Sequence, residues 1–132
     1  MNNYIAEIFD KNGPIAKAMP GYEVRHEQIE MAEAIESAIQ HSEQLIVEAG
    51  TGIGKSFAYL VPLAEYALEN KALGIVSTNT ISLQEQIIHK DIPFLEKFLD
   101  KDFKAVLVKG RNNYLCLRRL HRSEFQQKDL FS

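Results

Sequence analysis

The sequence predicts an α/β fold, a parallel sheet with helices on both faces, and two observations lead there. Short apolar runs rich in branched residues alternate with stretches of helical periodicity. The first of those runs passes straight into a cluster of glycines that opens a helix, the strand–loop–helix order of a right-handed crossover unit.

The elements are taken in chain order. Residues 4–9 have the character of a short helix, but Gly13-Pro14 and Pro20-Gly21 punctuate the next stretch, so 1–24 reads as an irregular lead-in. From His26 to His41 the apolar residues Ile29, Ala32, Ile35 and Ile39 recur at helical spacing, with Glu27, Glu30, Glu33 and Glu36 mostly on other faces. Leu45-Ile46-Val47 reads as a buried parallel strand. Phe57 to Asn70 predicts a helix that Pro62 should bend or deprive of one backbone bond. Residues 73–77 give a second strand. A helix comes next from about Ser82, where Ser82 and Glu85 have capping-box spacing, and Pro93 should separate it from a further helix over 94–99. Ala105 to Val108 is the third strand, and Tyr114 to His121 the last helix.

The bulk properties exclude several classes. At 132 residues and 45% apolar content the chain suits one globular domain. Its formal charge of −3, from 15 basic and 18 acidic residues, does not mark a nucleic-acid or membrane-surface binder, so any such signal must be local. The longest apolar run, 57–64, is far shorter than the roughly 20 residues a bilayer requires. A start without a basic stretch and apolar block carries no secretory signal, and one cysteine, Cys116, cannot form an internal disulfide; a cytoplasmic location is expected.

The chemistry concentrates at Ala49-Gly50-Thr51-Gly52-Ile53-Gly54-Lys55-Ser56, which fits the phosphate-loop pattern with Ala in place of the first Gly. Glycines let successive N–H groups converge on an anion, and the helix after them turns its positive end toward it. Lys55 is expected to reach the β and γ phosphate oxygens of ATP, and the Ser56 hydroxyl to help hold Mg²⁺. The loop by itself indicates a nucleotide and not a particular motor.

Four blocks narrow the class: Arg25 to Ala32, Glu48 to Ser56, Ser77 to Gln86, and Lys109 to Cys116. In this order they resemble the N-terminal part of the XPD/DinG family of iron-sulfur DNA helicases of superfamily 2, over nearly the whole chain. The resemblance implies a RecA-like phosphate-loop NTPase fold, with 25–109 as the beginning of the first motor domain and 110–132 as the start of an iron-sulfur insertion. It implies that Gln28 reads adenine through its amide, with Arg25 framing the pocket. Thr78, Thr80 and Gln86 are the implied contacts to single-stranded DNA, although polar residues between a strand and a helix also serve as plain caps. Cys116 aligns with the first of four cysteines that hold a 4Fe-4S cluster, whereas without the resemblance it would read as a buried small hydrophobe. Gln28 would then read as a polar residue on an exposed helix face. Between Lys101 and Arg122 seven basic residues stand against one acid, Asp102, a stretch that could track a phosphate backbone or be a solvated face.

Two parts of a motor are missing from the pattern. After Ser77 no adjacent Asp-Glu pair comes after an apolar run, and no second lobe supplies an arginine. The expectation is therefore the start of a longer 5′–3′ DNA helicase that binds ATP here without turning it over. The competing expectation is a nucleotide- or DNA-binding module without catalysis.

Overall fold

In a computed structural model, which describes residues 4–99 and 103–130, the chain forms a layer of helices. In order these are α1 (Tyr4–Phe9), α2 (Pro14–Ala18), α3 (His26–His41), α4 (Lys55–Asn70), α5 (Ile81–Gln86), a π-helical turn (Ile87–Asp91), α6 (Ile92–Leu99), a 3₁₀ turn (Arg111–Asn113) and α7 (Leu117–Leu130).

The core lies where α3 and α4 pack on each other, closed by α1 and by the π turn with α6. Ala32 of α3, Ala58 and Val61 of α4 and Leu95 of α6 are fully buried. Phe57 of α4 meets Phe94 of α6 at a centroid distance of 5.2 Å, and Phe94 meets Phe98 edge-on at 5.7 Å. Such pairs contribute about 0.5–1.5 kcal/mol each beyond the area they cover. The stretch read as an irregular lead-in is more ordered than expected. Ile5, Ile8 and Phe9 of α1 and Ile15 of α2 are among the most deeply buried side chains, and Tyr22 reaches back to donate to the Phe9 carbonyl at 3.1 Å.

Both long helices end as their sequences allow. Ser42 and Lys71 take left-handed conformations, φ 57° and 51°, and the amides after them return to Ala38 and Ala67 carbonyls at 2.8 and 2.9 Å. The helix over 26–41 has the expected bounds, and α4 runs through Pro62 from two residues earlier than expected. The N-cap expected near Ser82 is instead Thr80, whose hydroxyl accepts from the Leu83 amide at 3.2 Å. Pro93 does not break the helical path, which continues from Ile81 to Leu99. The π turn just before it widens the spiral, where a proline ring would otherwise press on the carbonyl one turn back. The last helix begins at Leu117 and not at Tyr114.

The parallel sheet is the main departure. Among the described residues no segment forms a strand, and 45–47, 73–77 and 105–108 run as irregular backbone with much of their apolar surface in water. Ile46 is 99% exposed, Leu73 85% and Ile75 78%. A strand satisfies its polar backbone only through a neighbour about 4.8 Å away, and a parallel strand needs cover on both faces. Among the described residues these runs meet no such neighbour. The middle run does lie against the helical layer, since Gly74 rides so close to Leu63 of α4 that a Cβ there would stand 3.0 Å from its Cγ.

Candidate functional site

The glycine loop is shaped by backbone that only glycine adopts freely. Gly52 and Gly54 have φ of 84° and 81°, and Gly54 is the N-cap of α4, accepting from the Ala58 amide at 3.3 Å. Lys55 and Ser56 are the first two residues of a 16-residue helix whose positive end opens on the loop. The Lys55 ammonium arches back over the loop and donates to the carbonyls of Ala49 and Gly50, both at 2.9 Å. Thr51 and Ile53 complete the turn between these anchors.

Two side chains of the α3 entry hold the loop from below. Arg25 donates to the Gly52 carbonyl at 2.5 Å. Gln28 is 3% exposed, which corrects the reading of an exposed helix face, and its amide N–H donates to the Gly54 carbonyl at 2.9 Å. Its oxygen accepts from the Tyr22 hydroxyl at 3.2 Å. A side chain at position 54 would run into that amide, so the glycine and the glutamine fit one another. These two bonds use one amide hydrogen and one lone pair of Gln28 and leave the other of each out of them. Burial, offset in part by Arg25, pushes the Tyr22 phenol above its ordinary pKa, keeping it a donor.

The π turn carries a buried carboxylate. Asp91 is 6% exposed, on the face that also carries Ile87 and Leu95. Its Oδ2 accepts from the Gln86 amide at 3.3 Å, and burial raises its carboxyl above the usual range while hydrogen bonds from Gln86 and Ser56 draw it down. One turn along α4 the Tyr59 phenol is raised above its ordinary pKa, chiefly by burial.

Of the expected DNA residues, Thr80 spends its hydroxyl on the α5 cap, Thr78 donates to the Thr80 carbonyl at 3.2 Å, and the exposed Gln86 donates to Asp91 at 3.3 Å. Within the basic stretch, Lys109 pairs with Glu85 of α5 at 2.6 Å and draws that carboxyl below its ordinary pKa. Lys101 and Asp102 lie outside the described residues. Cys116 is exposed at the entry to α7, where its carbonyl accepts from the Arg119 and Leu120 amides at 3.0 Å, so it is not the buried small residue of the plain reading. Among the described residues no group of three or more metal-ligating side chains comes together, and no helix is long and apolar enough to cross a membrane.

Sequence reasoning missed Tyr22 and Asp91. Tyr22 precedes its helix and has no periodic signal. Asp91 did have one, because Ile87, Asp91, Leu95 and Leu99 recur at intervals of four, which sets a carboxylate on an apolar stripe.

A glycine loop of this build, with a lysine and a hydroxyl at the head of a helix, defines a phosphate-binding class of protein. Residues 28–126 match the DEAD/DEAH box helicase family, and the chain belongs to it, with the phosphate-loop NTPase fold that membership implies. It is 45% identical over 118 residues to "ATP-dependent DNA helicase YoaA" of Haemophilus influenzae, covering 89% of this chain and 18% of that one. It is 47% identical over 113 residues to "ATP-dependent helicase DinG" of Mycobacterium tuberculosis, covering 83% and 17%. With "3'-5' exonuclease DinG" of Bacillus subtilis the identity is 35% over 115 residues, covering 87% and 12%. The chain thus spans less than a fifth of the length of these curated relatives. No solved structure matches it.

Proposed function

We propose that this chain is the ATP-binding portion of an ATP-dependent DNA helicase of the XPD/DinG type, in which ATP hydrolysis drives 5′–3′ movement along single-stranded DNA and duplex unwinding in repair or replication. The observation that carries the reading is the loop from Ala49 to Ser56, with left-handed glycines at 52 and 54, braced by Arg25 and Gln28. The relatives named as ATP-dependent helicases align with it over most of its length.

In this reading the loop amides and the head of α4 bind the nucleotide phosphates. The Lys55 ammonium exchanges the carbonyls of Ala49 and Gly50 for phosphate oxygens, a gain because those oxygens carry formal charge. Gln28 offers its remaining hydrogen and lone pair to an adenine edge, with Arg25 beside it. Mg²⁺ suits the hard oxygen of Ser56; once bound it supplies neutralisation of the phosphate charge. Thr78, Thr80 and Gln86 would contact DNA after giving up their present partners. In the whole protein the runs at 45–47, 73–77 and 105–108 are strands of the parallel sheet behind the loop, and Cys116 is the first ligand of a 4Fe-4S cluster. A cytoplasmic location goes with this activity.

The test is titration of the 132-residue chain with Mg-ATP, monitored by amide resonances and calorimetry. The expected result is saturable binding at sub-millimolar to millimolar ATP, weakened at least about tenfold (about 1.4 kcal/mol) by Lys55→Ala, with phosphate release at background. Resonances of 49–56 unmoved by millimolar Mg-ATP would refute the proposal. Steady hydrolysis abolished by Lys55→Ala would refute its claim that this segment binds without turnover.

A further inference from the structure

Tyr22 bears on the nucleotide site from outside the glycine loop, in the stretch between α2 and α3. Its phenol is half-buried, and its one O–H stands between two acceptors, the Phe9 carbonyl at 3.1 Å and Gln28 Oε1 at 3.2 Å. Phe9 is the fully buried last residue of α1, so one of those acceptors belongs to the core. Gln28 is in turn held at both ends of its amide, Nε2 on the Gly54 carbonyl at 2.9 Å and Oε1 on Tyr22.

We propose that Tyr22 is a positioning residue that makes the site selective for adenine: its hydroxyl, shared between the Phe9 carbonyl and Gln28 Oε1, sets the plane in which Gln28 meets the base. The inference rests on the reading of Gln28 as the adenine contact and adds to it a support from the N-terminal helices.

The freedom of one amide is at stake. The last torsion of a glutamine is broad and roughly two-fold, so by itself the side chain does not decide where its donor and its acceptor point. The Gly54 carbonyl chooses the nitrogen end, since a flipped amide would set oxygen against oxygen at that distance. With one contact the amide plane can still swing about it. The second contact, at the oxygen, fixes the plane, and the hydrogen and lone pair that the two bonds do not use then have a set direction. Adenine shows one donor and one acceptor on an edge, its N6 amino group and N7, and matches that pair. Guanine shows two acceptors there, O6 and N7, and sets one of them against the lone pair. A glutamine free to turn loses both the match and the mismatch, whereas the phosphate contacts of the loop are untouched.

The experiment measures the affinities of the 132-residue chain for Mg-ATP, Mg-GTP and Mg-tripolyphosphate by calorimetry. The wild type is expected to prefer ATP to GTP by at least about tenfold. Tyr22→Phe keeps the ring and removes the donor. It is expected to weaken ATP binding about fivefold and to leave GTP and tripolyphosphate within about twofold. An unchanged preference in Tyr22→Phe overturns the inference and leaves Gln28 as the adenine contact. An equal loss for all three ligands also overturns it, because a merely structural hydroxyl acts on them alike. A wild type that binds ATP and GTP equally removes the adenine reading with it and leaves the phosphate loop standing, and a chain that binds none of the three removes that as well. If Tyr22→Phe does not fold by circular dichroism, the Tyr22 Cζ resonance of the wild type carries the test. Saturating Mg-ATP is expected to shift it and Mg-tripolyphosphate to leave it in place; a resonance that ATP does not move, or that both ligands move alike, overturns the inference.

Discussion

The helices around α3 and α4 and the apolar runs at 45–47, 73–77 and 105–108 have similar hydrophobicity and opposite fates. Val61 and Leu95 are fully buried, whereas Ile46 and Ile75 stand largely in water. A helix pairs its own backbone groups within four residues, so it forms first and needs neighbours only for its apolar stripe. A strand has no internal backbone bonds and depends for them on chain distant in sequence. The phosphate loop lies on the boundary, entered from the run at 45–47 and leaving into α4. The half of the site that rests on helices, Arg25, Gln28 and Lys55, is accordingly the half with side-chain contacts.

The largest effect that tests this contrast is a pair of truncations. Leu95→Ala opens a cavity in the core and is expected to cost about 2–5 kcal/mol in urea unfolding monitored by circular dichroism. Ile46→Ala, at a fully exposed position, is expected to stay within about 0.5 kcal/mol. Equal costs at the two positions would break the comparison and show that the run at 45–47 finds cover in solution.

At the boundary itself, Gly54→Ala is expected to weaken Mg-ATP binding more than about tenfold. A non-glycine residue at a φ of 81° costs about 1–2 kcal/mol, and its Cβ displaces the Gln28 amide. Gly50→Ala is the control, because a Cβ there meets nothing within 4 Å. The unfolding midpoint of Gly54→Ala should fall while that of Gly50→Ala matches the wild type, and an equal fall in the two would show that the Gln28 contact is not what confines the loop.

Much of this was legible in the sequence, and the divide obeys the same physics. The bounds of α3 and the place of the glycine loop at the head of a helix came from periodicity and turn chemistry, which are local. Burial of Gln28 was not readable from spacing, because it depends on a carbonyl 26 residues away. The cap at Thr80 competed with an equally spaced box at Ser82, and only the backbone path decides between two hydroxyls so close together. The run through Pro93 required a π turn that no residue pattern announces. The apolar runs have the composition of strands, but pairing is a property of their neighbours and not of the runs.

The smallest effect concerns how α1 is fastened to α4. The Tyr4 hydroxyl donates to Glu65 Oε1 at 3.1 Å, and burial, then the charges of Glu65 and Glu69, push its phenol up to about 12. The group is neutral when protonated, so a folded-state pKa above the unfolded value near 10 means that the fold favours the protonated form. The stabilisation is complete below about pH 10 and is lost as pH rises from there toward 12. With Tyr4 40% exposed, solvent screening holds the contribution to about 1 kcal/mol or less. Lysines and other tyrosines titrate in the same range, so the informative quantity is the difference between wild type and Tyr4→Phe in unfolding free energy at about pH 8 and about pH 11. The variant is expected to be less stable at the lower pH and to close that gap at the higher. A gap that widens with pH would mean that the Tyr4 oxygen accepts a hydrogen bond from its surroundings and does not donate one to Glu65, leaving α1 to its apolar side chains Ile5, Ile8 and Phe9 and to the Tyr22 bond to the Phe9 carbonyl.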